Sequence, residues 1–314
     1  MEFIPQNPIL EFKEDTLSNL RKQYNFEKPD DMDRAIDVLD AWVKKQNHFL
    51  RKAFPRSYLE KTIIANKGSI EGAKIKLDKI CTFRTLMPDF FGENLTKNNF
   101  ENLEDFCSIS ALLPKPTDDN YRVYFLKNKG QTFVSQQLLN LYRYVVLICE
   151  YKLAYDYSNG MVVFIDFTEA NLIDLVTAID LTEMRQAIAI VTEGFGMRLN
   201  GIHLLTSSKA IEALVTIFKQ LLPAKVGSRI CVHKDMGTVY QYIPKDVFPS
   251  EYGGKEKSLL KLSDDLTDAL TAKDFREYIE GMNEAKTNEA CRQTDKFNDQ
   301  YLGTPGSFRT LTTD

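Results

Sequence analysis

Apolar residues in positions 1–92 recur three and four apart, the spacing of helices that bury one face. Pro29-Asp30-Asp31 is a helix-start signal, with acids where a helix N-terminus favours negative charge. Ala35, Ile36, Leu39, Trp42 and Val43 then share one face. Leu59, Ile63 and Ile64 mark a second helix over 58–65. Asn66-Lys67-Gly68-Ser69 breaks it, and Ser69 is placed to cap a third helix. That helix carries Ile70, Ala73, Leu77, Ile80 and Cys81 and stops before Pro88. The pattern predicts a small helical bundle. Residues 92–120 are punctuated by Gly92, Asn94, Asn98, Asn99, Pro114 and Pro116, and predict an irregular connection.

From Tyr121 the rhythm alternates between strand and helix. Strands are expected over 121–126, 161–167, 201–205 and 228–232, and helices over 133–155, 180–193 and 208–222. Leu138, Leu141, Tyr142, Val145 and Cys149 fall on one face of the first of these helices. Met161–Phe167 is a near-continuous apolar run, the mark of a strand covered on both faces. Four strands separated by helices predict an α/β fold with a mainly parallel sheet and right-handed crossovers. Beyond Gly253-Gly254 comes a polar helical stretch over 263–285 and then a tail poor in apolar residues. Three units are therefore expected: a helical domain over 1–92, an α/β domain over 93–262, and a C-terminal helix and tail over 263–314.

Charge and composition narrow the function. Forty Lys and Arg against 44 Asp and Glu give the 314-residue chain a net charge of −4, which disfavours a nucleic-acid coat. Cys81, Cys107, Cys149, Cys231 and Cys291 are scattered without a C-x-x-C, which argues against a disulfide scaffold or zinc ribbon and for a reducing compartment. Met1-Glu2-Phe3-Ile4-Pro5 lacks the features of a secretory signal or a myristoylation site, and no window reaches the ~18 apolar residues of a membrane helix. A soluble cytoplasmic protein is expected.

Candidate chemistry is sparse. Gly194-Phe195-Gly196 is a lone G-x-G that precedes a strand, whereas a dinucleotide fingerprint follows one. There is no phosphate-binding G-x-x-x-x-G-K and no G-x-S-x-G elbow. Cys231 and His233 share a strand face, but a buried cysteine beside a strand-end histidine is the simpler reading of that pair. His203 between Ile202 and Leu204 reads as a core histidine satisfied by backbone, and Asp166 as either a functional acid or a loop cap. Neither enzyme activity, cofactor nor metal is expected. Helix 208–222 is amphipathic: Ile211, Leu214, Val215, Phe218, Leu221 and Leu222 form one stripe, with Lys209, Glu212, Lys219 and Gln220 away from it. By composition it is either packed permanently on the sheet or a lid over an apolar cavity.

Phe195 to Leu205, centred on Gly201-Ile202-His203-Leu204, resembles the characteristic strand of the CRAL-TRIO (Sec14-like) lipid-transfer family. Phe248-Pro249-Ser250-Glu251-Tyr252-Gly253-Gly254 is similar to that family's closing motif, at a fitting distance. Residues 69–91 resemble the end of its N-terminal helical domain, and Gly306-Ser307-Phe308-Arg309-Thr310-Leu311 the tail of its insect branch. The resemblance implies a helical domain followed by an α/β lipid-binding domain whose cavity is gated by helix 208–222. It implies a carrier of one hydrophobic lipid, an isoprenoid such as tocopherol, a retinoid, a carotenoid or a juvenile-hormone-like terpenoid.

Alignment with tocopherol-carrying members puts the cavity wall on Tyr142, Val145, Cys149, Ile165 and Phe167, then Ala187, Ile190, Val191, Phe195, Met197 and Ile202. Ile211, Val215 and Phe218 would be added by the lid. Val145 and Cys149 stand where those members carry serines, removing two partners for a polar ligand head. Arg198, Lys225 and Arg229 match basic positions that read phosphoinositide headgroups there, with Asn200 at the fourth. The partners implied are a lipid and a transient membrane surface, with no nucleic acid. A lipid-sensing module that engages a protein partner through its C-terminal tail is the second reading.

Overall fold

A computed structural model of the chain describes residues 3–28, 30–91, 108–129 and 132–292. Four helices open it: α1 (Thr16–Gln23), α2 (Asp31–Lys45), α3 (Arg56–Ala65) and α4 (Ile70–Leu86). Their buried faces are the ones the spacing predicts, with Ala35, Ile36, Leu39 and Val43 inside on α2. Ser69 caps α4 by accepting from the Gly72 N–H at 3.0 Å. The start signal for α2 keeps Asp30 and Asp31, while Pro29 lies outside the described residues.

The sheet has the strand order β1-β2-β3-β4-β5. Its strands are Ser108–Leu112, Arg122–Asn128, Met161–Asp166, Leu199–Leu205 and Ile230–His233. β2 to β5 are parallel, and β1 lies antiparallel to β2 with Leu112 opposite Tyr124. β1 corrects the expectation of irregular chain at 108–112, while residues 92–107 lie outside the described residues. The crossovers carry α5 (Ser135–Tyr155), α6 (Leu172–Ala178), α7 (Leu181–Ala189) and α8 (Ile211–Leu221). Every crossover moves the chain one strand in the same direction. Right-handed crossovers that always advance one way place all their helices on one face. α5 to α8 accordingly share a face of the sheet.

Helix α7 ends in a π turn, Ile190–Gly194, instead of continuing to residue 193 as an α-helix. A Cβ on Gly194 would stand 3.0 Å from Ile80 Cδ1 and from Phe83 Cδ2 of α4, so this glycine serves helix packing. The helical layer and the α/β part share one core. Leu39, Ile63, Leu77 and Phe83 pack with Val146 and Cys149 of α5, and with Ile190, Phe195 and Met197. A buried ion pair from Arg84 of α4 to Glu150 of α5 crosses the same boundary.

The other sheet face carries Val123, Phe125, Val162, Phe164 and Leu205, covered by Val239, Ile243, Val247 and Phe248. The Glu251-Tyr252-Gly253-Gly254 segment locks this cover. Glu251 accepts from the Leu259 N–H at 3.0 Å, Tyr252 Oη donates to Asp166, and Gly253 has φ 71°. A Cβ on Gly254 would fall 1.8 Å from the Phe248 carbonyl oxygen, which no other residue can accommodate. After it come α9 (Leu259–Thr271) and α10 (Lys273–Asn283), in place of the single polar helix expected over 263–285. Ala272, extended at ψ 146°, separates them. Leu266, Leu270, Phe275 and Ile279 of these helices are core residues, so the stretch is built into the fold. No helix of the described residues is long and apolar enough to cross a membrane.

Candidate ligand cavity

Strand alternation sends every second side chain of β2, β3 and β4 towards the helices. Tyr124 and Leu126, Val163 and Ile165, and Ile202 thereby floor a cavity of about 200 Å³. Leu138, Leu141, Tyr142 and Val145 of α5 form one side, and Leu175 of α6 with Met184, Ala187 and Ile188 of α7 form another. Phe167, Val191 and Leu199 complete the rim, while Leu214, Phe218 and Leu222 come from α8 and the residue after it. Among the described residues, no Asp, Glu, Lys, Arg or His side chain is on this wall. Such a space can hold hydrocarbon and has nothing with which to neutralise an ion.

Helix α8 covers the cavity loosely. Ile211 and Leu214 are buried, whereas Val215, Ile217 and Phe218 are half-buried. The amphipathic stripe read from the sequence is thus turned towards the cavity but not sealed into it.

The alignment-based residues divide. Tyr142, Val145, Ile165, Phe167, Ala187, Val191, Ile202 and Phe218 line the cavity. Cys149, Ile190, Phe195 and Met197 belong to the core between the sheet-covering helices and the helical layer. Ile211 is packed in the core beneath α8, and Val215 lies against that core. Leu126, Leu141, Met184 and Leu214 were not picked out as wall residues, although their periodicity places them on the same faces. α6, which supplies Leu175, was not foreseen, being only seven residues long.

The basic residues have different partners. The Arg198 guanidinium donates to Tyr24 Oη and, at 3.4 Å, to Tyr121 Oη ahead of β2. Arg229 donates to the Leu199 carbonyl at 3.1 Å. Lys225 is exposed on the short turn after α8 and Asn200 is exposed on β4.

His203 and His233 lie on the other face of the sheet. His203 Nδ1 is 3.0 Å from His233 Nε2, whose Nδ1 is 3.1 Å from Thr238 Oγ1. The partner of His203 is thus a second imidazole, where backbone was expected. Burial first, and the neighbouring ring second, push His203 down to about 4. Cys231 is half-buried. Asp166 accepts from the Thr168 N–H at 2.8 Å and from Tyr252 Oη, so both its oxygens serve the loop and the closing segment.

Residues 108–254, from the first residue of β1 to the second glycine of the closing segment, match the model of the CRAL/TRIO domain. The chain is 22% identical over 255 residues to alpha-tocopherol transfer protein-like of Mus musculus and 21% identical to that of Homo sapiens. Each match covers 80% of this chain and 73% of the relative. The crystal structure of Sfh5 superposes with a TM-score of 0.48 at 15% identity, covering 87% of this chain and 98% of that one. Residues 108–254 are therefore a CRAL/TRIO domain, in a chain distantly homologous to alpha-tocopherol transfer protein-like.

Proposed function

We propose that the protein is a carrier that holds one neutral hydrophobic lipid between the sheet and α5–α8 and exchanges it at membranes by outward movement of α8. The observation that carries this reading is a wall on which the described residues place no Asp, Glu, Lys, Arg or His, beneath a half-buried amphipathic helix. Binding is driven by burial of apolar ligand area, at ~25 cal/mol per Å². The fold and the relatives' names support the assignment, and the step needs no covalent chemistry.

The cavity's 200 Å³ is below the ~300–1,000 Å³ usual for ligand pockets. An isoprenoid of tocopherol, retinoid, carotenoid or juvenile-hormone size therefore enters with displacement of the α8 side, where Phe218 is the aromatic residue that α8 places on the wall. Retraction of α8 also turns its apolar stripe towards the bilayer interface. Lys225 and Arg229, just beyond α8, supply the attraction to anionic lipid, phosphoinositides included. Arg198 is tied to two tyrosines and takes the smaller part.

The test is organic-solvent extraction of the purified full chain, followed by mass spectrometry and by uptake of neutral lipids from vesicles. One neutral lipid, near one molecule per chain, is expected. A phospholipid or free fatty acid as the main extract, or no uptake of any neutral lipid, overturns the reading.

A further inference from the structure

The π turn Ile190–Gly194 carries Val191 and Thr192 of the cavity wall and packs against α4 of the helical layer. A π turn closes its hydrogen-bonded ring over one residue more than an α turn, is rare, and occurs mostly at functional sites. Contacts from outside have to hold it. Its last carbonyls show how. Ile190 accepts from the Phe195 N–H at 2.9 Å, and Val191 from the Met197 N–H at 3.0 Å. The Thr192 carbonyl takes its donor from α4, where Lys76 Nζ stands 3.0 Å away. A helix-end carbonyl shut off from water needs a donor, so this ammonium stands in for a backbone N–H. Thr192 Oγ1 donates back to the Ile188 carbonyl at 2.8 Å. Lys79 pairs with Glu193 in the same turn, and Gly194 lets Ile80 and Phe83 close against it. Relaxation to an α turn would shift the register by one residue and swing the side chains beyond it by about 100°. What Val191 and Thr192 present to the cavity therefore depends on the turn keeping its form.

We infer that Lys76 is a positioning residue for lipid selectivity: from the helical layer it holds the Thr192 carbonyl, and with it the π turn, in the register that gives the cavity wall a fixed shape. The helical layer then takes part in choosing the ligand, and α8 in admitting it. This rests on the cavity being the carrier's binding site and deepens that reading.

The experiment displaces a pyrenyl alkane from the purified full chain with decane and with decalin, hydrocarbons of equal carbon number and different width. A wall of fixed shape should separate their affinities by about tenfold, the scale on which an apolar pocket discriminates by shape. Lys76→Met keeps the apolar stem and removes the ammonium, and should bring that ratio towards one while decane still binds. Lys76→Arg should restore the ratio. Lys74→Met, which breaks the pair with Glu71 on the same helix, should leave it unchanged. A ratio near one in the unaltered chain leaves the carrier reading intact and overturns this assignment. A ratio that survives in Lys76→Met overturns it too, even where the melting temperature falls, since the contact is then structural only. Hydrogen exchange in the unaltered chain decides the matter if Lys76→Met does not fold. The Phe195 and Met197 amides, which close the turn, should exchange more slowly when decane binds, and unchanged rates overturn the assignment. If the probe and both hydrocarbons fail to bind, the carrier reading falls and this one with it.

Discussion

His203 illustrates what a strand histidine does when no cation is wanted. It stays neutral, shares a hydrogen bond with His233, and keeps a folded pKa of about 4 against an ordinary value of 6.5. The unfolded chain therefore binds the proton that the folded chain refuses between those values. The contribution to stability is complete above pH 6.5 and is lost as pH falls towards 4. Urea midpoints measured across that window should decline, and His203→Gln should flatten the decline. Equal slopes would mean that the imidazole pair is not the group responsible. Alignment and geometry part company at Cys149. It is four residues from Val145 and shares its helical stripe. Val145 meets the cavity, but one turn later α5 runs under the helical layer, where Cys149 is closed off by that core. Spacing gives a side chain's face, while the neighbour that covers it comes from another part of the chain.

Among the elements, α8 was the most legible from its periodicity and the least legible in its role. The stripe of Ile211, Leu214, Val215 and Phe218 is the same whether a helix is fixed or mobile. Its partial burial and the cavity beneath it are what the proposal of a mobile helix rests on. Phe218→Asp puts a carboxylate where the closed helix meets an apolar wall. Transfer of a neutral lipid between vesicles should fall at least about tenfold, given the cost of burying an unpaired charge. An unchanged transfer rate would remove α8 from the gate. β1 was missed for the opposite reason. Ser-Ile-Ser-Ala-Leu is too short and too mixed to announce a strand, and its state is set by β2, with Ile109 opposite Lys127 and Leu112 opposite Tyr124. α9 and α10 merged into one polar stretch in the sequence because their acids outnumber the leucines, although the apolar positions still align on buried faces.

At the scale of the molecule, the two outer layers are bound into the sheet domain by shared cores. α9 and α10 place Leu262, Leu266, Leu270, Phe275 and Ile279 inside. Truncation after Ser258 should therefore abolish cooperative thermal unfolding, read by near-ultraviolet circular dichroism. A fragment that melts cooperatively would show these helices to be an addition to a complete domain. A protein partner engaged through the C-terminus would meet the tail beyond residue 292, which lies outside the described residues, as does the Gly306–Leu311 motif. The local pattern by itself determined the helix faces, the parallel α/β class, and the two motifs that carry the family resemblance. These depend on residue type and short-range spacing. Only the tertiary structure decided which apolar faces meet one another and which face a space, because a leucine stripe looks the same against a neighbour or a cavity. The constant direction of the crossovers puts α5 to α8 on one face, and that arrangement encloses an apolar hollow between them and the sheet.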